Sequence, residues 1–286
     1  MATVFDAYGV TDTGRRRERN EDHFFVDAVL GLYIVADGMG GHAAGEVASH
    51  TAINTISDFL RNAQTDRDFT WPFGADNSLT EDENLLLTAI KLANREICLL
   101  AEERPEYNGM GTTIASLKLE GDRFLIAHVG DSRVYRLRDQ GLTQLTDDHS
   151  WVNEQVARSI ITEEEARTHR WRNVITRALG NKFTIDIELG NTDYRPGDVF
   201  VVCSDGLSSM LANPDIEEML RQGAGETAQV LGTRLVERAN EAGGLDNITA
   251  IVIRVLDAEA QDSRTQDGAT SPGDATNPGA EPTRRV

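Results

Sequence analysis

The sequence predicts an α+β fold, a central antiparallel β-sandwich flanked by helices on both outer faces in a four-layer α-β-β-α order. Three observations predict it. About ten short apolar runs read as strands, most of them joined by tight turns such as Glu120-Gly121-Asp122 and Asp139-Gln140-Gly141, which implies antiparallel pairing. The long helical patterns fall in two places, Glu46–Arg61 with Glu81–Glu103, and the stretch from Leu207 to Glu241, with a short one at Val152–Arg158. Helices therefore do not alternate with strands, as they would in a doubly wound parallel sheet. Finally, carboxylates recur at strand ends: Asp37, Asp131 and Asp205 follow apolar runs, and Asp246 precedes one.

Taken in order, Val4–Val10 alternates and ends in Thr11-Asp12-Thr13-Gly14, a strand and a turn. Arg15, Arg16, Arg17 and Arg19 follow, then Asn20-Glu21-Asp22. Phe24–Val26 and Leu32–Ala36 form the next pair of strands across Asp27–Gly31. Gly38, Gly40 and Gly41 let the backbone turn and approach a ligand closely. Glu46–Arg61 is amphipathic, with Val47, Ala52, Ile56, Phe59 and Leu60 on one face. Asn62–Thr80 reads as a long loop whose Trp71 and Phe73 pack it onto the body. Glu81–Glu103 is a second helix with acidic residues in its first turn, where the helix dipole favours them.

Strands follow at Thr113–Leu119 and Arg123–Val129, then a hairpin at Val134–Arg138 and Leu142–Leu145. Asp147–Gly180 differs in kind: it is polar, carries two tryptophans and shows no clear strand, so it reads as an insertion beside the site, shaped in part by His149 and His169. Strands at Thr184–Leu189 and Val199–Cys203 bracket Arg195-Pro196-Gly197-Asp198. Leu207–Met210, Pro214–Gln222 and Glu226–Glu241 are helical, and Ile248–Val255 is the last strand. Residues 1–256 thus read as one folded domain. From Asp257 to Val286 the chain is rich in Asp, Ser, Thr, Gly and Pro, too polar to offset the entropy of ordering, and reads as a disordered tail.

Composition narrows the function classes. The chain has 286 residues, 40% hydrophobic, with a formal net charge of -19, which argues against nucleic acid or an anionic membrane as the main partner. No apolar run approaches the ~20 residues of a membrane span, and the N-terminus has no signal-like apolar stretch, so a cytoplasmic location is expected. The two cysteines, Cys98 and Cys203, read as buried small hydrophobes in a reducing compartment. None of the six histidines falls in a zinc motif.

Any one of the strand-end aspartates is explained by turn formation. Four of them on one sheet edge would repel one another unless protons or cations intervene. An all-oxygen set favours Mg²⁺ or Mn²⁺ over Zn²⁺. Two such ions bridged by Asp37 and completed by Asp205 and Asp246, with the Gly38 carbonyl as a further ligand, could activate a water and clamp a phosphoryl group. Asp131 beside Asp205 could hold an additional ion. Glu21 and Asp22 would hold metal-bound waters. Arg17 would receive the phosphate through a bidentate fork.

Seven stretches, in order, then carry a resemblance. They are Arg17 with Asn20-Glu21-Asp22, Ala36-Asp37-Gly38-Met39-Gly40-Gly41-His42, Gly111-Thr112-Thr113, Gly130-Asp131-Ser132-Arg133, Leu145-Thr146 with Asp148-His149-Ser150, Cys203-Ser204-Asp205-Gly206-Leu207, and Asp246-Asn247-Ile248-Thr249. Between Tyr8 and Val255 the sequence resembles the metal-dependent Ser/Thr protein phosphatase family (PPM, type 2C), particularly its bacterial members. The resemblance implies a β-sandwich flanked by helices and hydrolysis of phosphoserine and phosphothreonine in proteins by a water bridging two Mn²⁺ or Mg²⁺ ions. It implies Asp37 as the bridging ligand, the Gly38 carbonyl on one ion, Asp205 and Asp246 on the other, Asp131 with Asp205 at a third metal, and Asp147–Gly180 as the flap.

Many eukaryotic members carry a general-acid His directly after the Asp-Gly; Met39 stands there in this chain, as in bacterial relatives, and His42 is a candidate substrate contact. Arg133 is expected in a structural ion pair. Expected partners are phosphorylated proteins, among them a Ser/Thr kinase or its substrates, with a monomer as the simplest assembly. Two other classes compete with this one. A non-catalytic phosphoprotein-binding module of the same fold would usually have lost a metal carboxylate, and none is lost here. An Asp-nucleophile phosphatase wants D-x-D in a parallel frame, whereas Asp37 is followed by Gly-Met-Gly.

Overall fold

Eleven strands and seven α-helices make up the computed structural model, which describes residues 3–41, 43–65, 71–139 and 141–257. In chain order they are β1 (Thr3–Asp12), β2 (Asp22–Asp27), β3 (Leu32–Met39), α1 (Ala44–Thr65), α2 (Glu81–Glu103), β4 (Gly111–Thr112), β5 (Ile114–Glu120), β6 (Arg123–Val129), β7 (Arg133–Arg138) and β8 (Gly141–Gln144). Then come α3 (Trp151–Ala157), α4 (Glu163–Thr168), β9 (Glu188–Asp193), β10 (Val199–Cys203), α5 (Asp205–Ser208), α6 (Asn213–Gln222), α7 (Ala228–Glu241) and β11 (Ile248–Asp257).

Two antiparallel sheets stack. One has the order β1-β11-β10-β7-β8; the other runs β2-β3-β5-β6-β9, with β4 paired to β3. The two-residue alternation of each strand explains the layering. Tyr33, Val35, Leu117, Phe124, Phe200, Val202, Ile251 and Ile253 meet between the sheets. Their neighbours point outward: Leu32, Ile34 and Ala36 pack under α1 and α2 with Ile56, Leu86 and Ile90. On the opposite side Val201, Ala250 and Val252 pack under α6 and α7 with Leu220, Leu231 and Leu235. Both faces of each sheet are therefore covered, which is why Leu32–Ala36 of β3 and Val199–Cys203 of β10 are continuous apolar runs. Thr80 starts α2 as half of a capping box with Glu83.

Four expectations change in detail. The strand expected at Thr184–Leu189 lies at Glu188–Asp193, where it pairs with β6. The apolar alternation upstream has another use, since Ile185, Ile187 and Leu189 pack against the cluster under α1 and α2. The first helix extends to Thr65, past the Arg61 expected as its end, and Phe73 is exposed instead of packed down. Asp257 pairs with Thr3 as the last residue of β11; residues 258–286 of the expected tail lie outside the described residues. The aspartates, finally, share the edges of two stacked sheets, not one edge: Asp37 and Asp131 belong to β3 and the end of β6, Asp205 and Asp246 to the end of β10 and the start of β11.

The insertion carries α3 and α4; a single bridge from Leu179 to Thr112 ties it to the body, and a second, Ser150 to Ile175, closes it on itself. His169 stacks on Trp151 at 4.8 Å, and Trp171 meets the same indole edge-on at 4.7 Å.

Candidate metal centre

Asp37 sits inside β3, opposite Asp22 of β2 in the ladder. Its backbone is held from one side: the Thr113 hydroxyl accepts from Asp37 N at 3.0 Å, while Thr113 N and the Thr112 hydroxyl both donate to Asp37 O at 2.9 Å. Gly38 follows with its N–H on Glu21 O at 3.2 Å. A Cβ there would lie 2.1 Å from Gly45 O and 2.6 Å from Glu21 O, so only glycine lets three backbone segments converge. Gly130, at φ +108°, turns the end of β6 into Asp131.

On the other sheet, Asp205 is the first residue of α5, directly after β10 and Ser204, and its carboxyl stands against that of Asp37. Asp246 accepts from Arg17 Nη2 at 2.7 Å and from Asn247 N at 2.8 Å. Asp22 is 3% exposed; its Oδ2 accepts from the hydroxyls of Ser204 and Thr249, each at 2.7 Å. The structure thus brings together Arg17, Glu21, Asp22, Asp37, Gly38, Asp131, Asp205 and Asp246. His42 lies outside the described residues.

The electrostatics are those of a site built for cations. Burial, then Asp22, Asp205, Asp131 and Asp246, push the Asp37 carboxyl well above the usual carboxylate range. Burial raises Asp22 and Asp131 to about 7 and Asp205 to about 6, with neighbouring aspartates adding to each. Glu21 is raised too, chiefly by burial. Such a cluster must hold protons or bind cations. Two carboxylate oxygens, Asp22 Oδ1 and Asp131 Oδ1, are buried without any hydrogen-bond partner. Buried acceptors left unpaired are costly, and a cation or its water would satisfy them. With oxygen donors only, the set fits Mg²⁺ or Mn²⁺.

Sequence reasoning gave no role to the hydroxyls that hold the carboxylates. Ser204, Thr249, Thr112 and Thr113 are fully buried at the ends of apolar strands. A small polar residue where the alternation calls for an apolar one was the available signal. Arg133 makes the expected ion pair, bidentate to Asp148 at 2.8 and 2.6 Å.

A second group of possible ligands, His128, His149 and Glu188, has its ligand atoms within 4.8 Å of one another. Its hydrogen bonds argue against a metal. Gly130 N donates to His149 Nδ1 at 3.1 Å, which places the ring proton on Nε2, facing Glu188 Oε2 at 3.1 Å. His128 Nε2 is likewise engaged, with Asp147 O at 2.9 Å, and the Arg177 guanidinium stands 3.3 Å from His149 Nε2. His149 therefore ties the start of the flap to the Asp131 turn.

A layered antiparallel sandwich with a carboxylate cluster at the sheet edges defines a metal-dependent hydrolase of the phosphatase type. The family model described as Protein phosphatase 2C matches residues 13–242, and the chain belongs to that family. It is 37% identical over 248 residues to the serine/threonine phosphatase stp of Listeria monocytogenes, covering 85% of this chain and 93% of that one. The serine/threonine phosphatase of S. agalactiae superposes with a TM-score of 0.77 at 38% identity, over 89% of this chain and 100% of that one. The catalytic domain of the protein phosphatase PstP, solved with two manganese ions, superposes with a TM-score of 0.74 at 35% identity, over 90% and 100% of the two chains.

Proposed function

We propose that this chain hydrolyses phosphoserine and phosphothreonine in proteins, with Asp37, the Gly38 carbonyl, Asp205 and Asp246 holding two Mn²⁺ or Mg²⁺ ions. The observation that carries the reading is the buried convergence of Asp37 and Asp205 from two sheets, with Asp22, Asp131 and Asp246 around them. When bound, the ions supply an activated water and neutralise charge at the phosphoryl group. Asp131 with Asp205 is the candidate for a third ion. Asp22, anchored by Ser204 and Thr249, presents its unpaired Oδ1 and keeps Asp37 in place from the facing strand. Glu21 orients water at the edge of the cluster.

Arg17 is half exposed and bound to Asp246 at 2.7 Å. Were Asp246 engaged by a cation, the guanidinium would be free to offer its planar donors to the phosphate. By the family's chemistry, the substrates are proteins phosphorylated by a Ser/Thr kinase in a bacterial cytoplasm, and the working unit is a monomer. Among the described residues no helix is long and apolar enough to cross a membrane.

The test is hydrolysis of p-nitrophenyl phosphate and of a phosphothreonine peptide, with and without Mn²⁺, by the wild type and Asp205→Asn. Mn²⁺-dependent turnover that falls at least ~10³-fold in Asp205→Asn supports the reading. Turnover that survives excess EDTA overturns it. Mn²⁺ binding with no turnover of either substrate favours a phosphoprotein-binding module.

A further inference from the structure

We propose that Asn247 is a positioning residue for Arg17: it fastens both ends of the loop that carries the guanidinium and so sets where phosphate is received. This rests on the reading of Arg17 as the phosphate ligand. The loop from Thr13 to Glu21 leaves β1 and enters β2, and Arg15, Arg16, Arg17, Glu18 and Arg19 on it are all exposed. A solvated loop with four like charges has little of its own to order it.

Asn247 supplies the order from beneath. It is 4% exposed. Its Nδ2 donates to Thr13 O at 2.9 Å, at the start of the loop, and to Arg19 O at 2.8 Å, near its end. Its Oδ1 accepts from Glu21 N at 2.8 Å. Both donors and one acceptor position of the amide are thus spent on one loop. Buried bonds of this kind are strong, and the loop carbonyls have no equal substitute.

The residue before it holds the cation itself: Asp246 Oδ2 takes Arg17 Nη2 at 2.7 Å. This dipeptide, together with Gly244 O, which takes Arg15 N at 2.7 Å, therefore fixes the loop's backbone, and it aims the loop's charge. Gly14, at φ +81°, lets the loop lie against this dipeptide, since a Cβ there would come within 2.1 Å of Asp246 O.

Two plainer roles do not account for Asn247. The β1–β11 ladder runs unbroken from Thr3↔Asp257 to Asp12↔Ile248, so strand pairing needs no help from the amide. Direct metal ligation is disfavoured because Oδ1 already accepts from Glu21 N. What remains is the loop, and through it Arg17.

The experiment compares wild type, Asn247→Ala, Asn247→Ser, Arg17→Ala and the double variant Arg17→Ala/Asn247→Ala, all as the full chain. Asn247→Ser retains one hydroxyl but cannot span both carbonyls, and it carries the comparison if the alanine variant fails to fold. With Mn²⁺ present, Asn247→Ala is expected to weaken inorganic phosphate binding by calorimetry, and to raise KM for a phosphothreonine peptide, by about 5–20-fold, while kcat falls less than about threefold. In the metal-free protein, amide hydrogen exchange of residues 14–20 speeds up while β11 stays protected.

In the Arg17→Ala background, Asn247→Ala adds no further loss of phosphate affinity, because the two act as one unit. Full additivity, or an equal loss of kcat, phosphate affinity and Mn²⁺ affinity, overturns the proposal in favour of a general structural role. Unchanged phosphate affinity in Arg17→Ala instead overturns the reading of Arg17, and the exchange rates then decide whether Asn247 holds the loop.

Discussion

Asp22 faces Asp37 directly across the β2–β3 ladder. Like charges opposite one another in a sheet are destabilising. At roughly 5 Å and an effective dielectric of about 20, two ionised carboxylates repel by about 3 kcal/mol. The fold tolerates this pair because Ser204 and Thr249 bond Asp22 on one oxygen and the site can take up protons or cations on the rest. The juxtaposition sacrifices stability for a cation site, and it makes the metal part of the folding balance.

A pH dependence follows, and its sign is fixed by the raised carboxyls. Asp22 and Asp131 titrate at about 7 and Asp205 at about 6 when folded, against an ordinary 3.8. The folded protein therefore binds more protons than the unfolded chain between these values. Stability from these groups is complete below about pH 4 and is lost as pH rises through 6 to 7. In EDTA, the thermal midpoint is expected to fall between pH 5 and pH 7.5, and Mn²⁺ should restore it at the higher pH. Asp131→Asn should flatten the metal-free slope. A metal-free midpoint that climbs over this range would contradict the assigned burial of the cluster.

Gly206 has no room for a side chain. A Cβ at this position would lie 1.9 Å from Asn247 O, a backbone atom that cannot step aside. Gly206→Ala must therefore push α5, with Asp205 at its start, away from the beginning of β11, with Asp246 before it. The expected cost is roughly 2–4 kcal/mol of stability, read by urea denaturation, together with a loss of Mn²⁺ affinity. Gly41→Ala is the control: nothing lies within 4 Å of its Cβ, although its φ of +70° still carries a strain cost. It should leave Mn²⁺ affinity nearly intact.

The elements that were legible are those buried on both faces. Leu32–Ala36 and Val199–Cys203 are apolar without interruption, and Phe124–Val129 and Ile248–Val255 are mostly so, because helices cover what the opposite sheet does not, and a carboxylate at the end of such a run stands out. Strand β9 was misplaced for the opposite reason: in Glu188–Asp193 only Thr192 is buried, so pairing leaves no apolar mark. The aspartates could be picked from the sequence, but their holders could not. Asp22 takes its hydroxyl bonds from residues 182 and 227 positions away, and Arg17 meets Asp246 across 229. Local pattern carries no information about contacts at that separation, which only the closed sandwich creates.

The ion pair between Arg133 and Asp148 gives the last prediction. Arg133 opens β7 two residues after Asp131, and Asp148 lies just before the flap helix α3. The guanidinium meets the carboxylate through two bonds, at 2.8 and 2.6 Å, and spends a third donor on the Tyr135 hydroxyl at 2.9 Å. Both side chains are largely buried, so removing one partner strands the other's charge. Asp148→Leu should therefore cost about 3 kcal/mol, more than a surface ion pair would. Arg133→Met, which removes the cation and fills its volume, leaves Asp148 uncompensated and should cost a similar amount. Replacing both, as Arg133→Met with Asp148→Leu, should recover much of the stability, because no charge is then left unpaired. Urea midpoints for the four proteins test this. If the double variant is as unstable as the sum of the single ones, the pair's contribution lies in the hydrogen bonds that fix the flap's root and not in charge compensation.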